Sequence, residues 1–179
     1  MNEPEFLQRQ LAIERRHLDR VCQQLDLTLH SRFDAATLQA FCAVAAAYIG
    51  EAGARRARQL RSHVAALGSR LPAESASARA TLSAAGGIAD RIDAGLAALA
   101  ASANSGARVD GCRQFLSAIQ PALSAPAADL DALLQTHYTL ADWRSALRID
   151  ADSILRERTA FAAVAGAAPP GIALLDAGA

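Results

Sequence analysis

The stretch Glu5–His30, EFLQRQLAIERRHLDRVCQQLDLTLH, decides the fold. Leu7, Leu11, Leu18, Val21 and Leu25 recur at steps of four, seven, three and four, the spacing of one buried face of an α-helix. The missing member of that series is residue 14, and residue 14 is Glu14. His17 follows one turn later on an adjacent face. An acid in a slot reserved for leucine has three readings: a polar centre inside a bundle, half of an ion pair with an arginine such as Arg55, or a stripe rotated so that the acid faces water.

Working outward, Ser31-Arg32-Phe33 makes a turn and Asp34, followed by Thr37, is a good N-cap for a long second helix. Leu38, Phe41, Ala45, Tyr48 or Ile49, Ala52, Leu60, Val64 and Leu67 mark its inner face. Gly50 and Gly53 weaken it by roughly 1 kcal/mol each relative to Ala, which reads as a close helix crossing, with a kink as the alternative. The helix stops at Gly68. A third helix starts near Glu74 or Ser75 and runs to about Ser102, with Leu82, Ile88, Ile92, Leu96 and Leu99 inward and a bend or a break into two shorter pieces expected at Gly86-Gly87.

Asn104-Ser105-Gly106 and Ser124-Ala125-Pro126 read as loops on either side of a shorter helix, Val109 to Gln120. The next helix begins around Ala127 to Asp129 and carries Leu130, Leu133, Leu134 and His137 on one face. Thr139-Leu140-Ala141-Asp142 resembles a capping box that either starts a short helix or punctuates a longer one. Asp150 or Asp152 caps the last helix, which Gly166 and Pro169-Pro170 end. The expectation is an all-α, antiparallel up-and-down bundle of five or six helices. Residues 1–165 form a single helical-bundle domain, and 166–179 an apolar C-terminal tail that docks on the bundle or meets a partner.

Composition agrees. The chain has 179 residues, 52% of them apolar but only 4% aromatic, and alanine suits close-packed helices better than sheets. All eighteen basic side chains are arginines, and the net charge of zero argues against broad binding to nucleic acid or anionic membranes. The longest apolar run, Phe41 to Ile49, is half of what a membrane helix needs, so no membrane span is expected. Three cysteines, an odd number, fit reduced thiols, and Met1-Asn2-Glu3-Pro4-Glu5 lacks the basic start and apolar core of a secretory signal. The expected location is the cytoplasm.

Chemistry-bearing groups are few. Glu14 and His17 form an E-x-x-H unit, which holds metal in carboxylate-bridged di-iron bundles. If the first two helices fold back about residue 32, Glu14 and Glu51 lie at similar heights, and a second turn near residues 70–73 brings Asp90 and Asp93 to that layer. Glu14, His17, Glu51 and Asp93 are therefore the candidate ligands for iron, manganese or zinc. His137 and Asp142, spaced H-x-x-x-x-D after a His-bearing first helix, resemble the hemerythrin family of four-helix bundles, which bind oxygen or iron. The resemblance covers the region of His17 and residues 137–142; helix two offers only Glu51 and His63, and helix three has no histidine.

Cys22 and Cys42 lie ten residues either side of the turn and are expected at one level, while Cys112 sits in a helix first turn, where the dipole lowers a thiol's pKa. Arg55, Arg56, Arg58, Arg61 and His63 spread around the helix circumference and read as a solvated surface. P-loop, G-x-G-x-x-G, G-x-S-x-G and H-E-x-x-H motifs are absent. The leading reading is a non-catalytic binding or assembly module, homodimeric or with a protein partner. The alternatives are a metal-binding bundle, hemerythrin-like or di-iron-like, and a small-molecule-binding sensor or regulator.

Overall fold

A computed structural model describes residues 3–72, 75–102, 106–123, 128–147 and 151–172. Those residues contain seven α-helices and no strand: α1 (Glu3–His30), α2 (Ala35–Gly68), α3 (Ala76–Ala101), α4 (Arg108–Leu123), α5 (Ala128–His137), α6 (Leu140–Ala146) and α7 (Ala151–Gly166). All-α is right, but the count corrects the five or six expected. The extra helix is α6, which is a separate element because the Thr139 hydroxyl accepts from the Asp142 amide while Asp142 accepts from the Thr139 amide.

The stripe that defines α1 is buried as read: Leu11, Leu18, Val21, Cys22 and Leu25 are all in the core. Asp34 caps α2 by accepting from the Thr37 amide at 2.8 Å. Helices α1, α2, α3 and α4 pack in a cycle, each against the next and α4 against α1. Gly53 of α2 faces Leu96 of α3, and Arg61 farther along α2 reaches back to Asp90, so these helices run antiparallel. Gly95 against Phe115 and Gly111 against Ser102 give the same sense to α3 and α4.

Every other helix touches α2. That central place matches its composition: an 18-residue window reaches a mean hydropathy of 1.3, long and apolar enough to cross a membrane by those criteria alone. Helix α7 lies along α2, where Phe161 meets Tyr48. Helix α3 is continuous through Gly86-Gly87, one helix and not two shorter pieces. The packing of α2 and α4 along its length outweighs the weak propensity of two glycines.

Helix α4 continues past Pro121 to Leu123. Beyond α7 the chain folds back, Pro169 is buried, and the Gln24 amide donates to the Ile172 carbonyl at 3.0 Å, so the first part of the tail docks on its own bundle. Glu74, Asn104-Ser105, the Ser124-Ala125-Pro126 loop, Asp150 and the tail residues 173–179 lie outside the described residues.

Candidate functional site

Glu14 faces the interior, with its side chain only 12% exposed. It accepts from Gln10 at 3.3 Å and from Gln59 at 3.1 Å, and its carboxylate sits 3.6 Å from the Arg55 guanidinium. Arg55 also pairs with Glu157 of α7. One buried cation therefore lies between two carboxylates, the arrangement in which buried charge is tolerated. In this structure Glu14 is the partner of Arg55, Gln10 and Gln59.

The other candidate ligands are dispersed. His17 stacks on Phe161 with ring centroids 4.6 Å apart, and burial and the neighbouring Arg20 and Arg16 hold its pKa below the ordinary value. Glu51 is exposed and lies 3.7 Å from Arg156, while Asp93 pairs with Arg61 on the surface. The fold-back places Arg55 and Gln59, rather than Glu51, at Glu14. Helix side chains lean toward the N-terminus, so Glu14 reaches away from the turn and Arg55 reaches back toward it.

Asp142 is held by Arg70 at 2.5 and 2.8 Å and by the Thr139 cap, which keep its carboxyl well below the usual range. The His137 carbonyl accepts from the same Arg70, so this H-x-x-x-x-D segment ties α5 and α6 to the end of α2. Among the described residues no three His, Cys, Asp or Glu side chains are grouped so as to hold a metal ion.

Cys112 lies against Cys42, its Sγ 3.8 Å from the Cys42 carbonyl, and all three cysteines are buried and free. The contact with Cys42, reinforced by burial, pushes the Cys112 thiol up, so it stays protonated.

The feature that periodicity did not single out is on the opposite side of α2. A cavity of about 440 Å³ opens between α3 and α5. Exposed Ser77, Ala80, Ala84 and Asp129 form its mouth. Its floor is apolar: Leu18, Leu60, Ile92, Phe115 and Ile119 are buried there. Gly53 lets the wall close up, since a Cβ at that position would lie 3.3 Å from Leu96. The size and lining are those of a small-molecule site, which typically spans about 300–1,000 Å³.

Three charged side chains, Arg15, Asp19 and Arg56, rise from α1 and α2 into the cavity wall. Arg15 is neutralised by a two-pronged pair with Asp131 at 2.8 and 3.1 Å. Arg56 is different: no ion pair or hydrogen bond ties its guanidinium to another described residue, and Asp19 and Asp131 act on it only from a distance. Burial, reinforced by Arg15, lowers its pKa to about 10, so it remains a cation at neutral pH. Asp19 is half-buried and desolvation raises its carboxyl.

The arginine cluster read as a solvated face therefore divides. Arg58 and Arg61 are exposed, whereas Arg56 lines the cavity and His63 is fully buried, with Nδ1 2.6 Å from the Tyr138 hydroxyl. The sequence does hold the signal: Ala52, Arg56, Leu60, His63 and Leu67 continue the inner stripe of α2. No protein-family model matches the chain, and no curated protein or solved structure matches it.

Proposed function

We propose that the protein is a non-catalytic helical bundle that binds a small, largely apolar molecule in the cavity between α1, α2, α3, α4 and α5. The observation that carries this reading is the 440 Å³ cavity itself, apolar on its floor and open at a mouth between α3 and α5. A well-packed core leaves few voids larger than a water molecule, so a space of this size inside a bundle needs an occupant or a reason. The lining offers carboxylates, guanidinia, the hydroxyls of Ser77 and Thr81, and aliphatic and aromatic groups, which suit binding and orienting a ligand.

Self-association has weaker support from the surface. Phe6, Leu27 and Leu155 are the exposed large apolar side chains of the described residues, and single exposed apolar residues are ordinary on monomers. The metal-binding alternative has Glu14 and His17 engaged by Arg55 and Phe161 instead.

The test is titration with N-phenyl-1-naphthylamine, a neutral dye that brightens in apolar surroundings. Saturable binding to one site is expected, and Ala84→Phe, which fills the mouth from α3, should abolish it. Equal brightening in wild type and Ala84→Phe overturns the reading.

A further inference from the structure

We infer that the ligand is an apolar molecule carrying one carboxylate, whose oxygens are received by Arg56 while its hydrocarbon part lies on Leu60, Ile92 and Phe115. This deepens the cavity-binding reading and rests on it. A guanidinium carries five N–H donors in a planar fork and no acceptor. Arg55, one residue earlier, has its fork filled by Glu14 and Glu157, and Arg15 has its own filled by Asp131. Arg56 is half-buried in the cavity wall and has no such partner among the described residues.

A half-buried guanidinium whose fork is open toward an apolar cavity gains most from an anion with two oxygens, because a carboxylate matches the fork bidentately. The same wall shows which anions fit. Asp19 shares the wall with Arg56 and Asp129 stands at the mouth, so a multiply charged phosphate meets repulsion that one carboxylate, placed on the Arg56 side, meets far less. The aliphatic and aromatic floor then requires the remainder of the molecule to be hydrocarbon.

Decanoate, 1-decanol and decylamine share one tail and differ in head group, so they separate the two levels of the claim. Each is used to displace the naphthylamine dye from wild type, Arg56→Met and Asp19→Asn, with circular dichroism confirming the helical content of each variant. Decanoate is expected to bind roughly ten- to hundredfold tighter than decanol to wild type, the worth of a charge-assisted hydrogen bond. Arg56→Met should erase that advantage and leave decanol unchanged, which also shows that the cavity survives the substitution. Asp19→Asn should tighten decanoate alone.

Equal affinity of decanoate and decanol in both wild type and Arg56→Met overturns the carboxylate claim while sparing the apolar cavity. Decylamine binding tightest overturns it in favour of Asp19 and Asp129 as the receiving groups. Failure of all three, and of the dye, overturns both claims together.

Discussion

Arg55 and Arg56 are consecutive residues of one helix and have opposite fates. Separated by about 100° around the axis, they leave α2 on different sides. On the Arg55 side α7 closes the gap and delivers Glu157, so the guanidinium lies between two carboxylates. On the Arg56 side the helices stand apart, and the space between them is the cavity. A charge enters a helical core in either of two ways, paired by the fold or exposed to a void. The difference is set by which helix comes next around α2, since the residue is the same.

The comparison breaks most sharply under substitution with leucine. Arg55→Leu leaves Glu14 and Glu157 buried without their shared cation, at a cost of about 3–5 kcal/mol. Arg56→Leu abandons no partner within ion-pair distance and replaces a half-buried cation by an apolar side chain, so stability should hold or rise. Urea unfolding of the two variants at pH 7 reads both. Equal losses would mean that Arg56 has a structural partner after all, and the contrast would dissolve.

The contrast also explains what could be read in advance. Helix α1 was legible because its stripe is long and strictly periodic, and the caps at Asp34 and Thr139 because capping depends on local chemistry. Glu14 stood out as an intruder in that stripe, and Arg55 as its partner, because charge complementarity leaves few choices. Convergence on Glu51 and Asp93 was not legible, since it depended on counting residues from a turn and ignored the lean of helix side chains toward the N-terminus. The cavity left no mark at all in the pattern. A void is made by the separation of helices, and Leu60, Ile92 and Phe115 read as core residues whether or not they touch one another.

His63 supplies a reporter one turn beyond Gln59 on the same helix. It faces Tyr138 and feels Arg56, Arg15 and Asp131, and burial reinforced by Arg56 lowers its pKa from 6.5 to about 4. The neutral imidazole is thus the native form. As pH falls below 6.5 the unfolded chain takes up a proton that the folded one refuses. Stability contributed above pH 6.5 is then lost progressively down to about pH 4, by ~3 kcal/mol in total. His63→Gln should flatten that part of the profile. Arg56→Met should move the His63 titration upward, followed by NMR of its ring protons, while Arg55→Met leaves it in place. A shift of the same size in both variants would place the two guanidinia at comparable reach of the ring and end the claim of opposite sides.

The smallest effects belong to the glycines that set how closely the helices approach the cavity. A Cβ at Gly95 would come within 2.9 Å of the Phe115 ring, which has no flexible end to swing away, so Gly95→Ala should overpack α3 against α4 and cost about 1–3 kcal/mol. Because Phe115 lines the cavity, the same change should weaken binding of the neutral dye. Gly50 is on the same helix as the two arginines but faces open space, and a methyl added there would meet nothing within 4 Å. Gly50→Ala should therefore stabilise α2 by about 1 kcal/mol, through helix propensity alone, and leave dye binding unchanged. Thermal unfolding and dye titration on the pair give opposite signs of stability and unequal effects on binding if the cavity wall is where α3 and α4 place it. A loss of binding in Gly50→Ala would show instead that the site responds to the stiffness of α2 as a whole, and the side of α2 on which Arg56 emerges would no longer be what defines it.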